Sequence, residues 1–211
     1  MNEKCILLLS GGIDSTTLLC ELTAKYSVTC LIFDYEQTLS KEVDFAINNC
    51  IKYNSQYILV KIPLAFIGGN CSILGKSIIT QGRTIKQISE GDTPSSYVPF
   101  RNGIFLSYAI SYGEANNITD IYCGGNGLNS GKYWDDTLEF ADKMQQAASC
   151  GTSETYFPKI HFPYSTISKK DIVKRGLNSN VNYSNTWSCY KNDQEHCDLC
   201  DSCVQRNEAL S

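Results

Sequence analysis

The sequence predicts an α/β fold in which a parallel sheet is covered by helices on both faces. It reads as one domain over residues 1–211, with 186–211 as a C-terminal cysteine-bearing element. Three observations predict this. Short apolar runs of strand length alternate with stretches of helical spacing through the first 123 residues, and strands that alternate with helices pair in parallel. A glycine pair ends the first run just before the first helical stretch. Four of the eleven cysteines crowd into the last 25 residues.

Taken in order, residues 4–9 form an Ile/Leu-rich run that reads as a buried strand, closed by Gly11 and Gly12. Residues 15–24 read as a helix and 28–35 as a second strand. Leu39, Val43, Ile47, Cys50 and Ile51 recur at helical spacing, and 57–62 is a third strand. A long connection, 63–100, is rich in Gly, Ser and polar residues, the kind of segment that is often functional or mobile. Ile104, Phe105, Tyr108, Ala109 and Tyr112 mark another helix, and 118–123 a fourth strand. Beyond Gly124 the pattern weakens to a polar loop through Tyr133, a helical stretch 134–148 and a short strand 160–163. Ser168 reads as the N-cap of a helix over 169–177, and a last helical stretch runs from Val204.

Hydrophobic residues make up 42% of the chain, enough for a core, and charged residues 19%, below the roughly 25% of typical domains. Disorder and coiled coil are therefore not expected. No apolar run approaches the roughly 20 residues of a bilayer crossing, and the start MNEKCILLLSGG has no leader cleavage pattern. A cytoplasmic protein without a membrane partner is expected. The net charge of -4 comes with no basic patch, so no nucleic-acid partner is expected. An odd number of cysteines without a leader argues against a disulfide framework.

The densest chemical signal is Ser10-Gly11-Gly12-Ile13-Asp14-Ser15, followed by Thr16 and Thr17, between the first strand and the first helix. Two glycines let the backbone turn tightly and bring its N–H groups close to an anion. The helix opened by Ser15 and Thr16 presents its positive end to phosphate. The bland alternative is a strand-to-helix turn that merely needs glycines. The pattern SGGxDS resembles that of the PP-loop ATP pyrophosphatases. This resemblance implies a Rossmann-like (HUP/PP-loop) sheet and cleavage of ATP between its α and β phosphates.

Cys189, Cys197, Cys200 and Cys203 form C-x7-C-x2-C-x2-C. Four thiolates at this spacing can close a tetrahedral Zn2+ site with no open position, which makes zinc structural. An iron–sulfur cluster and redox thiols are the alternatives. Cys5, Cys20, Cys30, Cys50 and Cys123 fall in strands and helices and read as buried small apolar residues. Cys71 and Cys150 lie in less regular segments.

The two features together resemble the QueC family of the queuosine pathway, the 7-cyano-7-deazaguanine synthases. Also matching are Phe33-Asp34-Tyr35-x-Gln37, Tyr97-Val98-Pro99-x-Arg101-Asn102 with Phe105-Leu106-Ser107, and Ile160-His161-x-Pro163. So are Ser168-Lys169-Lys170-x-Ile172-Val173 and Thr186-Trp187-Ser188-Cys189-Tyr190. The resemblance implies an ATP-dependent carbon–nitrogen ligase. It would adenylate 7-carboxy-7-deazaguanine and, with ammonia, pass through the amide to the nitrile, using two ATP, Mg2+ and structural Zn2+. The nucleotide-binding stretch it implies is Leu9, Ser10, Gly11, Gly12, Ile13, Asp14, Ser15, Thr16, Thr17, Leu18 and Leu19, with Asp34 and Gln37 at the second strand's end. Within it Ser10, Gly11, Gly12, Ser15 and Thr16 would hold the β and γ phosphates, and Asp14 would be the Mg2+ partner. Asp14, Ser15, Arg101 and Lys169 are the catalytic candidates, and Arg101, Asn102, Tyr133 and Asp135 the substrate candidates. Cys189, Cys197, Cys200 and Cys203 are the metal ligands. His161 reads equally as structural or site-facing. A homodimer is expected by resemblance.

The departures from the family pattern cluster on the substrate side. Glu36 stands at a position usually small or amide, Leu39 replaces a histidine, and Phe100 replaces the glycine of Val-Pro-Gly-Arg-Asn. In the 126–140 segment, Tyr133 and Asp135 persist, but a Cys-Arg pair has become Asp136-Thr137. Losing the arginine removes a bidentate donor suited to a carboxylate. These changes keep open an alternative: a paralogue of antiphage gene clusters that joins the activated deazaguanine to another amine, such as a protein N-terminus, as an amide.

Overall fold

In the computed structural model, residues 3–38, 40–67, 70–75, 77–126, 133–191 and 193–211 are described. The departure at Leu39 and the 127–132 part of the altered segment lie outside them. Strands β1 (Lys4–Leu8), β2 (Ser27–Asp34), β3 (Gln56–Lys61), β4 (Asp120–Cys123) and β5 (Lys159–His161) form one sheet in the order β3-β2-β1-β4-β5. Every pairing is parallel, with Cys5 opposite Val28 on one side of β1 and Asp120 on the other. The chain winds outward from β1 in one direction through β2 and β3, and in the other through β4 and β5. The carboxyl ends of β1 and β4 therefore flank the point where winding reverses, the place where open α/β sheets leave a crevice.

The core follows from period-2 alternation in strands apolar on both faces. On one face Cys5, Leu7 and Leu9 of the first strand and its exit pack with Val28, Cys30 and Ile32. Helices α1 (Ile13–Thr23), α2 (Lys41–Lys52) and α6 (Lys169–Asn178) contribute to this layer through Leu18, Leu19, Ala46, Cys50, Ile172 and Val173. On the other face Ile6, Leu8, Leu31, Phe33 and Ile121 meet α4 (Arg101–Asn116) and α5 (Leu138–Gly151). Phe33 and Phe105 stack there with centroids 4.0 Å apart and planes 5° apart. Short α3 (Ile85–Glu90) and terminal α7 (Asp201–Leu210) complete the described helices.

The α/β class and parallel sheet agree with the sequence reading; several boundaries do not. The stretch 134–148 is not one helix. A 3-10 turn over Trp134–Asp136 ends at Thr137, whose extended backbone and side chain, accepting from Phe140 N at 3.1 Å, start α5 afresh. The last helix begins at Asp201 rather than Val204, so Cys203 lies in its first turn. The long 63–100 connection holds two 3-10 turns and α3, whose Thr84 and Gln87 form a capping box. Ile51, on the helical stripe of α2, is exposed, and Cys20 is half-buried.

Candidate active site

The turn after β1 is shaped by close packing. Gly11 has φ +81°, and a Cβ there would lie 2.4 Å from Glu42 O and 2.8 Å from Ala46 N of α2. Only glycine satisfies both demands. Gly12 caps α1 with no side-chain hydrogen bond, so the first-turn N–H groups remain for an anion. Ser10 and Ser15 brace the turn, their hydroxyls 3.1 Å apart and Ser10 N donating to Ser15 Oγ at 3.3 Å.

This turn opens onto a cavity of about 310 Å3, lined by the exits of β1, β2 and β4 and by residues of α4 and α7. Asp14 reaches Lys169, the first residue of α6, at 3.0 Å. Arg101, the first residue of α4, donates to Tyr35 Oη at 3.1 Å. Burial works against its charge, but Tyr35 and Glu42 hold its pKa above the usual value. Glu42 accepts from Gln37 Nε2 at 2.9 Å, and burial pushes its pKa up to about 7. Asp136 is pushed up to about 7 by burial and then by Asp135 and Asp14. Among the described residues the cavity thus has two cations, able to receive phosphate or carboxylate, beside carboxyl groups of raised pKa.

The fourth wall comes from the cysteine element. Trp187 N donates to Gly11 O at 3.0 Å and its indole to Cys189 O at 3.0 Å, which ties the cysteines to the glycine turn. Buried Arg206 donates to Thr186 Oγ1 at 2.7 Å and to Tyr183 O at 2.6 Å, and Arg83 pairs with Asp201. The sulfurs of Cys189, Cys197, Cys200 and Cys203 lie within 4.8 Å of one another, with Cys197 and Cys203 3.9 Å apart. A tetrahedral metal with bonds of about 2.3 Å needs sulfurs roughly 3.8 Å apart, so the cluster fits one metal ion. Lys191 N and Cys200 N each donate to a cysteine sulfur at 3.4 Å, support typical of thiolate ligands.

Leu9, Ser10, Gly12, Ile13, Asp14, Ser15, Arg101, Asn102, Tyr133 and Lys169 all line the cavity. Thr16, Thr17, Leu18 and Leu19 turn inward instead, because the helix that presents its N-terminus to the cavity buries the next turn. Thr16 accepts from Asn49 Nδ2 at 3.4 Å, and Thr17 meets Ile13 O and Tyr183 Oη. Gln37 and Asp135 act behind the wall. Gln37 joins Phe33 O, Tyr35 N and Glu42; Asp135 accepts from Asn102 N at 2.8 Å and so fixes the start of α4. Asp34 accepts from Glu36 N at 3.4 Å and does not line the cavity. His161 lies away from it, 2.9 Å from Asp120 and stacked on Tyr122. Tyr35, Glu42, Ser96, Asn126, Asp136 and Asp201 line the cavity without having been singled out as ligands. For Glu42 the one available signal was its place opening the helix after the second strand.

Against known proteins, the model of the family described as "Queuosine biosynthesis protein QueC" matches residues 4–211. The 7-cyano-7-deazaguanine synthase of Thermoplasma volcanium is 39% identical over 209 residues, 98% of this chain and 86% of that protein. That of Campylobacter jejuni is 39% identical over 213 residues, 98% and 92%. Among solved structures, an NMN synthetase from Francisella tularensis superposes with a TM-score of 0.51 at 15% identity, over 93% of this chain and 71% of that one, a likeness of fold. With a glycine turn facing a charged cavity, a four-cysteine cluster behind it and a match along almost its whole length, the chain belongs to the QueC family.

Proposed function

We propose that the chain is an ATP-dependent carbon–nitrogen ligase that converts 7-carboxy-7-deazaguanine and ammonia to 7-cyano-7-deazaguanine, turning two ATP into two AMP and two pyrophosphates. The observation that carries this reading is the 39% identity to synthases of that name over 98% of the chain. The glycine turn at the crevice supports it.

The chemistry fits the groups present. A carboxylate resists attack because oxide is a poor leaving group; transfer of AMP to it supplies a good one. Ammonia displaces AMP to give the amide. A second adenylation, on the amide oxygen, allows elimination to the nitrile. In this chain Ser10, Ser15 and the backbone N–H groups of the first turn of α1 hold the β and γ phosphates. Lys169 and Arg101 place positive charge where the phosphates and the substrate carboxylate meet. Asn102 and Tyr133 face the substrate, with Asp135 fixing Asn102. Mg2+ held with Asp14 would neutralise charge on the departing pyrophosphate. Zn2+ on the four cysteines would cross-link the wall that carries Trp187 and Ser188. No observation favours a protein N-terminus as the acceptor.

Incubation of the purified chain with ATP, Mg2+, ammonium and 7-carboxy-7-deazaguanine tests the proposal by mass spectrometry. Nitrile with two AMP per product is expected; amide as the final product, or no AMP, would refute it.

A further inference from the structure

We infer that Asp136 and Asn126 form the subsite that takes the nitrogen source as ammonium, a small monovalent cation. The inference rests on the ligase reading above and places its second substrate. It starts from charge pairing around the cavity, whose acidic lining residues among those described are Asp14, Glu42, Asp136 and Asp201. Asp14 has Lys169 at 3.0 Å, Asp201 has Arg83, and Glu42 takes a hydrogen bond from Gln37 and faces Arg101. Asp136 has no cation within salt-bridge distance among the described residues. Its Oδ2 accepts from Asn126 N at 3.1 Å.

Its other oxygen is unsatisfied. Asp136 Oδ1 and both polar side-chain atoms of Asn126 are buried without a hydrogen-bond partner among the described residues. The two residues are only 9% and 7% exposed, and both line the cavity. Each such buried atom costs about 1–3 kcal/mol when left unpaired, and native chains seldom leave three together. Because both residues line the cavity, a small hydrogen-bond donor entering it would be their partner.

The chemistry of these unpartnered groups selects the ligand. An anion is repelled by the carboxylate and has Lys169 and Arg101 to go to. Ammonium brings a positive charge that would favour the ionised form of Asp136, which burial otherwise disfavours, with N–H donors for Asp136 Oδ1 and Asn126 Oδ1. The groups surrounding Asp136 do not supply that charge. Asp135 is engaged with Asn102 N, Asp14 with Lys169, and the Cys123 thiol is kept neutral, pushed up to about 12 by burial and by Asp136 itself. Arg101 lowers the Asp136 pKa from a distance but bonds Tyr35. Position also fits. A Cβ on Gly125 would lie 1.6 Å from Asp136 Oδ1, and one on Gly124 would lie 3.1 Å from Ser15 N. Two bare glycines thus bring the carboxylate onto the end of β4, directly across from the loop proposed to hold ATP.

The test uses the full chain with ammonium chloride varied at saturating ATP and Mg2+. In Asp136→Asn, which keeps shape and an acceptor for Asn126 N, the KM for ammonium should rise by about ten- to a hundredfold, the worth of one charge-assisted hydrogen bond. The Mg2+ requirement and ATP KM should not rise with it. An unchanged ammonium KM overturns the assignment; so does a raised Mg2+ requirement, which would make the pair a divalent-cation site. A second measurement covers a poorly folding variant. With ATP and the carboxy-deazaguanine present, the wild-type melting temperature should be higher in ammonium chloride than in sodium chloride at equal ionic strength, and equality overturns the assignment. ATP–pyrophosphate exchange without ammonium reads the ligase proposal separately: wild-type silence there sinks that reading by itself.

Discussion

Replacing Gly11 with alanine tests the packing that builds the glycine turn. At φ +81° an L-residue costs about 1–2 kcal/mol, and the added methyl would sit 2.4 Å from Glu42 O and 2.8 Å from Ala46 N. Both contacts are backbone atoms of α2, so no side chain can swing aside. Either the turn or the first half of α2 must move, at about 1–3 kcal/mol for such overpacking. The sum, about 2–5 kcal/mol, should appear in urea unfolding as a lower midpoint at unchanged slope. Because Gly11 O also receives Trp187 N, the displacement reaches the cysteine wall, and the KM for ATP should rise as well. A loss below about 1 kcal/mol with normal ATP kinetics would refute the claim that steric fit, not only flexibility, demands glycine here.

Three further outcomes are expected. Cys200→Ser should abolish bound metal, read by elemental analysis, and lower the melting temperature sharply, since a four-thiolate site can contribute on the order of 10 kcal/mol; equal stability would remove the metal from the folding argument. Asp14→Ala should abolish AMP formation while changing stability by about 1 kcal/mol or less, because the Lys169 pair is partly exposed; residual AMP at wild-type rate would displace Asp14 from the reaction. Glu42 is a carboxyl whose folded pKa is raised from 4.5 to about 7, so its protonated form favours the fold. Its contribution should be full below about pH 4.5 and lost as pH rises through 7, and Glu42→Gln should flatten that slope in urea titrations across pH 4–8; a parallel slope in the variant would assign the pH dependence elsewhere.

Much of the fold and part of the site were legible from spacing alone. Near-continuous apolar runs identify β1, β2 and β4 because strands buried on both faces need them, and the glycine pair marks the turn, where Gly11 at φ +81° leaves no room for a Cβ. The cysteine spacing names its own cluster, which the four sulfurs within 4.8 Å of one another satisfy. Boundaries set by a single capping residue were not legible. The break at Thr137 depends on one side chain bonding Phe140 N, and the early start of α7 on where Cys200 must sit.

The sequence by itself determined the layered α/β class, the glycine turn and the four-cysteine cluster, since each depends on residues near one another along the chain. Only the tertiary structure decided which side chains meet in the cavity. Asp14 and Lys169 are 155 positions apart, Gly11 and Trp187 likewise distant, and Thr16 and Thr17 were turned inward by packing against α2 and Tyr183. The unpartnered carboxyl oxygen of Asp136 emerged the same way, because burial and pairing are properties of what surrounds a residue and no local pattern encodes them.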